Sequence, residues 1–139
     1  MTKPNGSDSF WKNRSIYFGD NFLYDFMVDY SNYQYQKLAD RGIDCAMAFT
    51  PLNRNSLYSY QTDEAMEDFE RYLDENLNVA IISDLQENIL DPAVFFDDDY
   101  HLAAPARAEY TARLAEDLNE YFASVDAADT AADAPDAAD

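Results

Sequence analysis

The sequence predicts an α/β domain: a short parallel sheet of about three strands flanked by helices. Three observations lead there. Short β-prone apolar runs alternate with segments of helical period, an order that implies parallel strands joined by right-handed crossovers. Each apolar run closes on a Gly, Pro or Asp, the residues that end strands. The chain is 47% hydrophobic with 11 Tyr and 9 Phe, a content that disordered chains lack, so the body is globular.

The 139 residues amount to one domain. Residues 1–12, polar with Pro4 and Gly6, form a loose arm. Residues 13–123 carry the fold. Residues 124–139 are an Ala/Asp repeat with almost nothing to bury and are expected to be disordered.

The elements follow in order. Ser15-Ile16-Tyr17-Phe18 reads as a strand, and Gly19-Asp20-Asn21 as the turn that ends it. Phe22 to Tyr30 is aromatic and fits neither period. Ser31 is a good N-cap and Gly42 a good C′ residue, so a helix is expected between them. Ile43 to Thr50 is apolar nearly throughout, as in a strand covered on both faces, and Pro51 ends it. Leu52 to Gln61 reads as a polar loop. A second helix starts at Thr62 or Asp63, with Met66, Phe69 and Leu73 forming one apolar stripe. Leu77 to Ser83 is the third strand, with Asp84 at its C-terminal end. Residues 85–100 are a long connection. Pro105 suits the first turn of a last helix, where Tyr110, Leu114, Leu118, Tyr121 and Phe122 recur on one face.

Charge narrows the function classes. Asp and Glu number 28 against 9 Lys and Arg, giving a net charge of -19. Nucleic acid and anionic membrane surfaces both require positive charge, so neither is an expected partner. No apolar run approaches the length of a membrane span, and Met-Thr-Lys-Pro-Asn-Gly has no apolar core of a signal peptide. The compartment stays open. The single Cys45 excludes an internal disulfide and, within an apolar run, is read as packing rather than as a nucleophile.

Chemistry gathers in one place. His101 is the only histidine, and histidine is the side chain suited to proton transfer near neutrality. A base needs a partner that holds its tautomer. Asp98, three residues upstream, is spaced so that a turn can fold one side chain onto the other. In open α/β sheets the chemistry lies at the C-terminal ends of strands. Gly19–Asn21, Pro51–Asn53, Asp84 and the Asp98–His101 loop are all expected on that rim. Contiguous Asp97, Asp98 and Asp99 rarely all face one ion, so no metal is expected there. Three glycines make no phosphate-cradling loop, and no cofactor is implied.

The run Val94-Phe95-Phe96-Asp97-Asp98-Asp99-Tyr100-His101-Leu102, leading into a helix with Tyr110-Thr111, resembles the last block of SGNH-type (GDSL-like) serine hydrolases. The branch it is most similar to acylates or deacylates cell-surface polymers. The resemblance spans roughly residues 13–122, and its last block is the specific part. It implies a partial three-layer, flavodoxin-like sandwich in which Asp98 orients His101 and His101 activates a serine. Ala103 and Ala106 stand where the family often has Asn and Gly. A second block, Phe18-Gly19-Asp20-Asn21-Phe22, is similar to the family's Gly-x-Asn-Asp segment, with Phe22 in place of the Asp. That match implies Gly19 and Asn21 as an oxyanion site.

The nucleophile block, a strand followed by Gly-Asp-Ser, is missing. Gly6-Ser7-Asp8-Ser9 has the letters in another order with no strand before it, and Ser83 is read as a strand-end hydrogen-bonding residue. The resemblance therefore implies the C-terminal portion of an esterase or O-acyltransferase, inactive alone. Its partner would be a missing N-terminal half, or a second copy joined through an open sheet edge. Its substrate would be an acyl ester or polysaccharide, and the parent enzyme would work outside the cytoplasm. The alternative is a non-catalytic α/β module, a degenerate relative or gene fragment, acting in protein interaction.

Overall fold

In the computed structural model, which describes residues 16–19, 25–96 and 100–132, helix α2 (Asp63–Asn76) organises the core. Its start follows from Thr62, whose hydroxyl accepts a hydrogen bond from the Ala65 N–H at 3.2 Å. Met66, Phe69 and Leu73 form the expected stripe and are buried. They pack with Leu85 and Ile89, and half-buried Phe18, Phe49, Leu57 and Ile81 close around them. The acids of α2 that face outward, among them Glu64, Glu67 and Glu75, are exposed.

Strand β1 (Ala46–Met47) pairs in parallel with β3 (Ala80–Ile81), with α2 in the connection between them. Strand β2 (Leu52–Asn53) pairs in parallel with β4 (Ile89–Leu90). The same two stretches of chain thus meet twice. Ala46 sits opposite Ala80 and Leu52 opposite Ile89, so the second stretch spends three more residues between its pairings. Those extra residues hold the 3-10 turn Gln86–Asn88. On the first stretch Pro51, which has no N–H to give, breaks the ladder.

The chain is α/β as expected, but among the described residues two two-stranded parallel pairs stand in place of one sheet of about three strands. Of the expected first strand, Ser15 lies outside the described residues, and Ile16 makes a parallel bridge to Leu57. Beyond it the Gln61 side chain takes the place of a neighbouring strand. Its Oε1 accepts from the Phe18 N–H at 2.7 Å and its Nε2 donates to the Phe18 carbonyl at 3.0 Å.

The expected polar loop 52–61 is also corrected. Asn53 and Ser56 are fully buried. The Ile16 N–H donates to the Ser56 carbonyl, and Asn53 Oδ1 caps a 3-10 turn at the Asn55 N–H. The long connection 85–100 likewise contains β4 and a 3-10 turn, Pro92–Val94.

Helix α1 (Asp25–Ala39) begins six residues before Ser31, which lies inside it. Its end matches expectation. Gly42 has φ +68, its N–H bonds Ala39 and the Ile43 N–H bonds Leu38, the paired closure of a Schellman motif. Asn32 ties α1 to the end of α2, donating to the Asn76 carbonyl and accepting from the Asn78 N–H, both at 2.8 Å.

Helix α3 (Ala104–Ala132) continues past residue 123 into the Ala-rich repeat, as the high helix propensity of Ala allows. Residues 133–139 of the expected tail lie outside the described residues. Tyr110 donates to the Phe49 carbonyl and Tyr121 to the Cys45 carbonyl, so α3 runs antiparallel to the β1 stretch. Half-buried Tyr110, Leu114, Leu118 and Tyr121 face inward, whereas Phe122 is exposed.

Candidate functional site

The segment holding His101 is a hairpin planted in the core. Asp91 caps the turn that opens it, accepting from the Ala93 N–H at 2.6 Å. Phe95, 2% exposed, anchors one arm and pairs antiparallel with Leu102 on the other. The Phe96 N–H donates to the His101 carbonyl at 2.7 Å, and the Ala103 N–H to the Val94 carbonyl at 2.8 Å. The backbone of His101 is thereby held against Phe96. Its side chain is exposed. Asp98 lies outside the described residues, as does Asn21.

Between the hairpin and the start of α3 is a groove of about 600 Å³. Phe96, Leu102, Ala103, Ala104 and the ring of Tyr110 supply apolar surface, and Pro51 closes it on the strand side. His101 and Arg107 are the basic side chains that line it, with Tyr100 and Thr111 beside them. Two of the hydroxyls are engaged elsewhere: Tyr110 donates to the Phe49 carbonyl at 3.1 Å, and Thr111 to the Arg107 carbonyl at 2.8 Å. No serine or cysteine is among the described lining residues.

The rim expected from sequence is thus brought together in part. Pro51 and His101 share the groove. Asp84 lines a different one, with Phe49, Glu70, Arg71 and Asp74. Ser83, at the same strand end, accepts the Phe49 N–H at 2.7 Å and has the structural role expected of it. Gly19 is buried beside Phe18, whose ring packs tilted against Phe69 in the core with centroids 5.1 Å apart, and it does not line the His101 groove. Cys45 is half-buried, its Sγ near the Ile43 carbonyl. Among the described residues no group of three or more His, Cys, Asp or Glu is placed to hold a metal, and no helix is long and apolar enough to cross a membrane.

Two features were not singled out from sequence. Arg107 enters the groove because α3 begins at Ala104, which brings the first turns of the helix alongside the hairpin. Glu70 is a partly buried carboxylate. Desolvation raises its pKa above the ordinary value, the neighbouring Asp84 and Glu67 raise it further, and the hydrogen bond it accepts from the Leu85 N–H opposes them.

No family model matches the chain, and neither a curated protein nor a solved structure matches it.

Proposed function

We propose that the chain is the C-terminal portion of an SGNH-type serine esterase or O-acyltransferase. It supplies His101 as general base and Asp98 as the group that orients it, and it is inactive alone. The observation that carries this reading is the placement of His101 on a core-anchored hairpin immediately before α3, facing a groove closed by Pro51 at the end of the β1 stretch. A base at the C-terminal end of a parallel strand is where open α/β sheets keep their chemistry. The complete domain would extend the two short parallel pairs into a three-layer, flavodoxin-like sheet, with an incoming half contributing the serine. Gly19 and Asn21 would serve as oxyanion donors in that assembled domain.

The engaged hydroxyls of Tyr110 and Thr111 favour a second reading for the isolated polypeptide, a non-catalytic α/β interaction module. The two readings separate in one experiment. The chain alone should not react with a fluorophosphonate serine probe. Supplied with a half carrying a strand–Gly-Asp-Ser block, it should turn over a p-nitrophenyl ester, and His101→Ala should lower that turnover at least ~100-fold, the typical contribution of a general base. Undiminished turnover in His101→Ala would remove the hydrolase reading. Stoichiometric labelling of the chain alone would show that it contains a nucleophile after all.

A further inference from the structure

We infer that α1 pairs two copies of this chain, antiparallel, through an outward stripe of Phe26, Tyr30, Tyr33 and Lys37. Buried Val28 and half-buried Tyr35 and Leu38 serve the inward side of the helix. On the outward side Phe26, Tyr30 and Tyr33 are 70%, 52% and 56% exposed. A surface helix needs one apolar stripe, and α1 carries a second. With Lys37 the three rings recur at alternating four- and three-residue steps, the seam spacing of paired helices. They already form a continuous strip. The rings of Phe26 and Tyr30 stack at 6.3 Å, and the Lys37 ammonium lies 4.3 Å over the centre of the Tyr33 ring.

Charge selects a second copy as the occupant. Acids outnumber bases 28 to 9, so two copies repel each other unless bases meet acids at the contact. The charges along α1 are arranged for that. Exposed Asp25 and Asp29 stand at its start, and exposed Lys37 and Arg41 stand with Asp40 at its end. A two-fold axis crossing the stripe between Tyr30 and Tyr33 reverses one helix on the other. It sets Lys37 of each copy against Phe26 of the other, within reach of Asp25 and Asp29, and sets Tyr30 against Tyr33. A two-fold interface must be self-complementary in this way. A uniformly basic partner would be repelled at Lys37, and a uniformly acidic one at Asp25 and Asp29.

Area sets the strength. At these exposures the three rings offer roughly 350 Å² per copy, given the size of aromatic side chains. Two copies together bury less than a tight complex does, so the dimer should be weak, with Kd on the order of 100 µM. This surface lies apart from the His101 groove and does not depend on the hydrolase reading.

Sedimentation of the full chain at increasing concentration tests the pairing. The parent should pass from monomer to dimer between ~10 µM and ~1 mM. Tyr33→Ala should weaken the dimer about 10-fold or more, as loss of a central aromatic does. Lys37→Glu and Asp29→Lys should each weaken it at least ~10-fold, because each sets like charges together. The double variant Asp29→Lys/Lys37→Glu exchanges the two signs and should return to the parent's affinity, which a parallel pairing would not predict. All three positions are exposed, so the variants should keep the parent's circular dichroism. A chain still monomeric at ~1 mM would overturn the pairing, whether the stripe stays in solvent or another part of the chain covers it. A dimer indifferent to Tyr33→Ala and Lys37→Glu would place the contact elsewhere and overturn it too, as would a double variant no stronger than the single ones.

Discussion

Replacing Asn88 by Ala tests whether α3 is locked to the sheet, and hence whether the groove has a fixed wall. Asn88 is 1% exposed. Its Oδ1 accepts from the Arg113 guanidinium of α3 at 2.7 Å, and its Nδ2 donates to the Asp84 carbonyl at 2.6 Å. The truncation removes one hydrogen bond to a charged group and one neutral bond. Together these amount to about 2–4 kcal/mol when the surrounding groups are desolvated. For a domain of this length that lowers Tm by about 10 °C. Urea unfolding followed by circular dichroism reads the loss directly. Arg113→Ala supplies the second arm of a double-mutant cycle, and the coupling between the two should exceed about 1 kcal/mol, because contacting groups are not additive. A loss below about 0.5 kcal/mol for Asn88→Ala, or strict additivity with Arg113→Ala, would refute the claim that this pair fixes α3.

Three further outcomes follow from the fold. Leu73→Ala, at 3% exposure in the centre of the α2 stripe, should cost about 2–5 kcal/mol in urea unfolding. Gly42→Ala should cost about 1 kcal/mol: a Cβ there meets nothing within 4 Å, so the penalty comes from φ +68 alone. Glu70 gives a pH dependence of unusual sign. Burial raises its folded-state pKa, so the fold holds the proton more tightly than the unfolded chain does, and this group costs stability as pH rises from the ordinary carboxylate range through the raised value. Glu70→Gln keeps an acceptor for the Leu85 N–H and removes the charge. It should match the parent in acid, where Glu70 is protonated, and gain on it as the pH approaches neutrality; a gap that widens toward acid would contradict the assignment.

Helix α2 was legible because two independent signals coincide, a capping Thr62 and a stripe spaced for a helix. The end of α1 was legible from Gly42, since few other residues reach that backbone region. The start of α1 was not. Phe26, Tyr30 and Tyr33 are exposed and only Val28 is buried, so no inward stripe marks the first turns. Strands β2 and β4 were missed because, unlike the equally short β1 and β3, they lie within no longer apolar run, and one of their four residues is Asn53, a buried polar residue that reads as loop. Such burial is a tertiary outcome: it depends on chain stretches far apart meeting with a three-residue offset set by Pro51 and the Gln86–Asn88 turn. His101 stood out as the sole histidine. Arg107 did not, because its approach to the groove depends on where α3 starts relative to a hairpin that residue pattern alone does not reveal.

The pairing of Asp98 with His101 is the centre of the functional account, and the single imidazole makes it measurable in the isolated chain. A neutral histidine carries its proton on the nitrogen that its partner fixes. If Asp98 orients His101 for catalysis, it holds the proton on Nδ1 and leaves Nε2 free to act as the base. Nitrogen-15 NMR of the ring at alkaline pH should therefore report the Nδ1–H tautomer in the parent chain and lose that preference in Asp98→Ala, with Asp97→Ala and Asp99→Ala unchanged. An Nε2–H ring in the parent, or a tautomer indifferent to Asp98→Ala, would contradict the account.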